Sequence, residues 1–186
     1  LRKTPGVYTK VVDPGGWLMF MAINHLHPPF DNPMVRQAVV AAMDQQAFLD
    51  AAIGDQQELA VKPTGVFSRT MPMSNDAGLD RIAGDVARAR KMVAESGYKG
   101  EPVVILSPSD QATLRQLSEV ARDLFVSIGL KVDLQSMDWG SVVSRRANQG
   151  PPGQGGWGAF ASIMSALTGA NPGSMLPLRE IGRAHV

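Results

Sequence analysis

The 186-residue sequence predicts an α/β fold in which a mainly parallel sheet is flanked by helices. Three observations carry that expectation. Val103-Val104-Ile105-Leu106 is a continuous apolar run, as expected of a strand buried on both faces. Leu114, Leu117, Val120, Ala121, Leu124, Phe125 and Ile128 then recur at helical spacing up to Gly129. Lys131-Val132-Asp133-Leu134-Gln135 alternates as a strand does, and a further strand is expected from Trp157 to Met164. Strand, helix, strand, helix, strand with right-handed crossovers makes these strands parallel, so their carboxyl ends open on one edge.

The remaining elements follow in chain order. Trp17 to Asn24 is apolar nearly throughout and lies between Pro14-Gly15-Gly16 and Pro28-Pro29, which predicts a buried strand. Asn32 can cap a helix whose first position is Pro33, because proline loses nothing where the amide is unpaired anyway, and Phe30 can pack back onto it. Val35, Ala38, Val39, Ala42 and Met43 form its stripe. Asp44 offers a second cap, and Phe48, Leu49, Ala52 and Ile53 continue to a stop at Gly54. From Asp55 to Gly84 periodicity fails, and Pro63, Gly65, Pro72 and Gly78 mark a lid-like loop or a crossing between lobes. Asp85 to Ser96 is again helical, with Val86, Ala89, Met92 and Val93 on one face and Gly97 at the end. Asp110 is placed to cap the long helix and Asp138 a short one running through Asn148. The glycines at 150, 153, 155, 156 and 158 follow no strand into a helix, so they predict a flexible connection and not a phosphate loop.

Composition excludes several functions. Eighteen Lys+Arg against 17 Asp+Glu, without a basic cluster, give no field suited to nucleic acid or an anionic membrane. Without Cys there is no disulfide, thiolate site or cysteine nucleophile. Trp17 to Ile23, the longest apolar run, is far short of the ~20 residues a membrane-spanning helix needs. Ser107, Ser109, Ser141 and Ser144 lack a G-x-S-x-G elbow. His25 and His27 have a metal-pair spacing but no third ligand, and a solvated strand end accounts for them. Arg145-Arg146 is a pair on a solvated helix face. No catalytic group, metal site or cofactor is expected.

In an open parallel sheet, ligands gather beyond the carboxyl ends of strands. Here that edge comprises Ser107 to Asp110, Met137 to Trp139, and Ser165 to Asn171. It offers helix-start amides, small hydroxyls, an indole and two carboxylates, suited to a polar ligand with apolar side groups. Beside that stands the plainer reading, in which Asp110 and Asp138 only cap helices and Trp139 only packs.

His27-Pro28-Pro29-Phe30-Asp31-Asn32-Pro33-Met34-Val35-Arg36-Gln37-Ala38 and Ala94-Glu95-Ser96-Gly97-Tyr98-Lys99-Gly100 resemble stretches of one family. So do Leu106-Ser107-Pro108-Ser109-Asp110, Ile128-Gly129-Leu130-Lys131-Val132, Met137-Asp138-Trp139 through Arg146, and Gly155-Gly156-Trp157. That family is the extracellular solute-binding proteins, family 5, of the oligopeptide/dipeptide/nickel class that feed bacterial ABC importers. The resemblance runs from about Gly16 to Met175 and implies a periplasmic-binding-protein-like (type II) lobe. It divides the chain into a truncated interlobe segment (1–16), a ligand-binding lobe (17–175) and a tail (176–186). Residues 180–186 of the tail resemble translated sequencing-adapter read-through, with an ordinary exposed tail as the alternative.

The implied function is non-enzymatic: capture of peptide-like solutes by closure against an N-terminal lobe, and delivery to ABC permease subunits. The implied location is periplasmic or extracellular, membrane-associated through the importer. The implied ligand contacts are Ser109, Asp110, Asp138, Trp139, Met164, Ser165 and Thr168. Thr168 stands four positions before Pro172, where peptide-binding members carry an acidic residue for the peptide's amino terminus. A hydroxyl there accepts a hydrogen bond but cannot pair with an ammonium at full strength. Ile163 and Met164 stand where many relatives carry aromatics. The alternatives are a fragment of an α/β hydrolase-type enzyme and a sensor domain sharing the fold.

Overall fold

Four strands form one mixed sheet in the order β1-β4-β2-β3, with β1 at Trp17–Ile23, β2 at Val103–Pro108, β3 at Val132–Met137 and β4 at Ala159–Ser165. The computed structural model describes residues 4–8, 10, 12–13, 15–61 and 65–173. The expected tail from 176 onward lies outside these, as does part of the expected interlobe segment. As predicted, β2, β3 and β4 are parallel neighbours. The departure is β1, which is an antiparallel edge strand on β4 and not a buried one. Six of its seven residues keep some exposure, and Trp17 is 66% exposed. An unbroken apolar run does not say whether a neighbour exists on both sides, and here one side has none among the described residues.

Helix α1 (Pro33–Ala42) starts as predicted, with the Asn32 side chain accepting the Met34 N–H and Pro33 at its first position. Asp44 caps α2 (Gln45–Ile53) by accepting the Gln46 N–H at 2.9 Å. Asp85 caps α3 (Val86–Glu95) in the same way through Arg88. Among the described residues, only single 3-10 turns, Gln57–Leu59 and Leu79–Arg81, interrupt the long connection between α2 and α3. Helices α1, α3 and α4 (Ala112–Ser127) cover one sheet face, where Phe30 meets Phe125 edge-on at 5.6 Å over Val103 and Ile105. The short α5 (Trp139–Arg145) covers the other, burying Val142 and Trp157 on Val104, Leu106 and Phe160. α5 ends three residues before the predicted Asn148, and β4 begins two residues after the predicted Trp157.

The Gly-rich connection is fastened, contrary to the flexible linker its composition suggests. The guanidinium of Arg145 donates to the side-chain oxygen of Gln135 on β3 and to the carbonyls of Gly155 (2.9 Å) and Gly156 (3.1 Å). Arg145 is therefore no solvated helix-face residue. The Trp157 indole N–H also donates to the Arg146 carbonyl at 2.9 Å. A Cβ added at Gly156 would clash with the Gly150 carbonyl oxygen and lie 2.8 Å from that of Pro151, both backbone atoms that cannot swing away. Gly156→Ala is therefore expected to cost about 1–3 kcal/mol, seen as a lower urea midpoint, whereas Gly153→Ala, in open space, should leave the midpoint within experimental scatter.

Candidate functional site

The chain leaves β2 through α4 to β3 on one side, and leaves β3 through α5 to β4 on the other side of β2. α4 and α5 thus carry these two connections over opposite faces of the sheet, and in open α/β sheets ligands gather beyond the carboxyl ends of the strands where connections part in this way. β4 pairs with β2 only at Ile105↔Ala159 and Leu106↔Phe160, yet stays with β1 as far as Trp17↔Ser165. Beyond Phe160 no β2–β4 pair follows, since the next would need an N–H from Pro108, which has none.

The register of β1 and β4 fixes which way the backbone beyond that pair faces. The Asn24 N–H donates to the Gly158 carbonyl at 2.8 Å at one end of the β1–β4 ladder, and the Ala166 N–H to the Gly16 carbonyl at 3.0 Å at the other. In an antiparallel ladder alternate residues bond to the partner strand, so the even-numbered residues of β4 face β1. The backbone of Ile163 therefore faces β2's side of the sheet, beyond the last β2–β4 pair. Sequence reasoning named Ile163 only for its side chain, because the register that frees its backbone is a tertiary property.

The opposite wall joins two loops. The Ser109 N–H donates to the Met137 carbonyl at 2.7 Å, and the Trp139 N–H donates to a carboxylate oxygen of Asp110 at 2.8 Å. Asp110 thus does not cap α4, whose N-cap is Gln111 with no side-chain bond. It lies in the loop after one strand and binds the first residue of the helix after the next. Asp138 does cap α5: Ser141 donates its N–H at 3.0 Å and also its hydroxyl. The Ser141 hydroxyl, then the Ser141 amide, hold this exposed carboxyl below the usual aspartate range, so it remains ionised into mildly acidic solution. Trp139 is half-buried, packing against both the Val142–Trp157 cluster and the Leu114–Leu117–Ala161 cluster.

On β4's side the Ser165 hydroxyl accepts the Leu167 N–H at 3.2 Å, and its carbonyl accepts that of Gly169 at 3.2 Å. This turn leaves Thr168 exposed and Leu167 70% exposed. Met164 is half-buried and paired with Leu18. Five of the seven predicted residues thus lie beyond the carboxyl ends of three parallel strands, and Met164 and Ser165 are the last two residues of β4. They frame an open edge rather than an enclosed cavity. The two best-formed hollows, about 540 Å³ beside Asp44 and Gly84 and about 130 Å³ beside Asn32 and Tyr98, include none of them.

Among the described residues no group of three His, Cys, Asp or Glu could hold a metal ion. His27 Nε2 lies 2.8 Å from the Gln149 carbonyl, in a turn and not at a solvated strand end. The Ser144 hydroxyl donates to the Gly140 carbonyl at 3.0 Å. No helix among the described residues is long and apolar enough to cross a membrane.

Comparison with known proteins points one way. Residues 1–172 match the family model described as bacterial extracellular solute-binding proteins, family 5 Middle. The chain is 34% identical over 174 residues to a protein of Sinorhizobium fredii named "Probable peptide ABC transporter periplasmic-binding protein y4tO", covering 92% of this chain and 32% of that one. It is 26% identical over 169 residues to the glutathione-binding protein GsiB of Salmonella typhi, covering 90% and 32%. Among solved structures, the periplasmic binding protein DppA of Helicobacter pylori, in complex with the peptide STSA, superposes with a TM-score of 0.73. That match has 20% identity and covers 96% of this chain and 32% of that one. CtaP of Listeria monocytogenes gives 0.72 at 19% identity, covering 87% and 32%. The chain spans about a third of the length of these relatives.

Proposed function

The chain belongs to the bacterial extracellular solute-binding proteins of family 5, and from that premise we propose that it supplies one ligand-binding lobe of an ABC importer's peptide-capturing subunit. Residues 17–175 form that lobe and 1–16 lead into it from the other. The protein works outside the cytoplasmic membrane, is not an enzyme, and hands its ligand to permease subunits after the two lobes close.

The observation that carries this reading is the carboxyl-terminal half of β4, which has no pair with β2 and where the Ile163 backbone faces away from β1. An extended peptide can pair with such main chain whatever its side chains, which suits a carrier of varied peptides. Ser109, Asp110, Asp138 and Trp139 contact the ligand from one wall, and Met164, Ser165 and Thr168 from the other. Thr168 supplies no negative charge, so the peptide is held mainly through its backbone. The names of the peptide- and glutathione-binding relatives support this ligand class.

An NMR titration of the isotope-labelled chain with alanyl-leucyl-alanine tests the proposal. Amide shifts are expected at Asp110, Trp139, Ile163 and Ser165. Shifts confined to the hollow beside Asp44 and Gly84, or none at millimolar peptide, would overturn it.

A further inference from the structure

Asp110 stands one residue ahead of the N-cap of α4 yet makes no cap bond to that helix, whose N-cap is Gln111. Its carboxylate instead accepts the Trp139 N–H at 2.8 Å, 29 positions along the chain. A cap stabilises its own helix. A bond made to the next loop holds something else in place, and the residue that carries this N–H is a tryptophan.

Three features fix where that tryptophan lies. Trp139 is the first residue of α5 and follows β3, which closes at Met137. The Ser109 N–H donates to the Met137 carbonyl at 2.7 Å, so the two loops are already joined one step before the Asp110–Trp139 bond. Half-buried Trp139 packs with Val142 and Trp157 under α5, and also with Leu114 and Leu117 of α4. α4 and α5 cover opposite faces of the sheet, and a residue following β3 reaches both clusters only across the carboxyl ends of the strands. The indole therefore lies at the edge where ligands of open α/β sheets gather, with part of its surface in solvent.

Asp110 has two ways to serve a ligand there. As a charge it would meet an ammonium, but it is exposed, and an exposed ion pair contributes little because water screens it. As an acceptor it orients the segment that carries the indole, through a directional, charge-assisted bond. We infer that Asp110 is a positioning residue of the proposed binding site: by accepting the Trp139 N–H it holds the indole across the strand ends, where an apolar side group of the ligand rests on it. The inference rests on the peptide-binding reading and adds a division of labour to it, in which Trp139 makes the apolar contact and the charge of Asp110 is dispensable.

Asp110→Asn and Asp110→Ala separate the two roles, with alanyl-leucyl-alanine as probe in an NMR titration of each chain. Asparagine keeps an oxygen that accepts the Trp139 N–H but carries no charge, so this variant should bind the tripeptide as the wild type does. Alanine removes the acceptor and should weaken the tripeptide about fivefold, with faster hydrogen exchange at the Trp139 amide and displaced indole resonances before any peptide is added. Equal weakening in both variants would assign the role to the charge and overturn the inference. So would wild-type affinity in Asp110→Ala, or an unchanged Trp139 amide and indole in that variant. Absence of any wild-type shift overturns the peptide-binding reading and this inference with it, so a failure confined to the variants is distinguishable.

Discussion

Trp157→Ala is expected to destabilise the fold by about 3–5 kcal/mol, against the roughly 5–15 kcal/mol by which domains are typically stable. The indole is fully buried and meets Phe160 edge-on at 4.9 Å, holding α5 to the sheet. It also satisfies the Arg146 carbonyl, which alanine would leave without that donor. The lost area, the cavity and the orphaned carbonyl add in one direction. Trp157→Phe keeps much of the area but not the N–H, so its urea midpoint should fall between those of wild type and alanine. An alanine variant within about 1 kcal/mol of wild type would show that α5 is held chiefly by its loops.

The second large effect concerns affinity. This chain, alone, is expected to bind alanyl-leucyl-alanine with a millimolar dissociation constant, about 4 kcal/mol of binding, where a closed two-lobed carrier reaching micromolar affinity would gain about 8. The physical reason is the openness of the edge: one lobe offers contacts on one side of the ligand only. The other side stays in water, and no closure equilibrium converts binding energy into enclosure. Calorimetry giving micromolar affinity for the isolated chain would mean that β4 and the Asp110–Trp139 wall suffice, and would refute the two-lobe account.

Much of the scaffold was legible because its signals are local. Asn32, Asp44, Asp85 and Asp138 each cap the helix they precede, and a cap involves residues two or three positions apart. The run Val103–Leu106 announced a central strand, since only burial on both faces tolerates four consecutive branched apolar residues. What sequence missed is non-local. Asp110 caps the start of a helix 29 positions on, a partner that only the parallel register of β2 and β3 brings near. Arg145 looked like a surface cation because its partners are a side chain on β3 and two carbonyls of a glycine-rich loop, and neither leaves a charge pattern to find. Of the candidate site, the three loops were foreseeable from the strand–helix order. The direction in which the Ile163 backbone faces depends on the register of β4 against β1, which no periodicity encodes.

The Asn32 side-chain amide donates to the Ser96 carbonyl at 2.9 Å, tying together the two segments that most clearly carry the family's stamp. Both lie at the amino-terminal end of the parallel strands, as far from the mouth as the sheet allows. Part of the kinship in this chain is therefore written in its chassis, away from the rim. Two proteins matching closely along these stretches can haul different cargo, and a change of diet needs only the loops at the far rim to be rewritten.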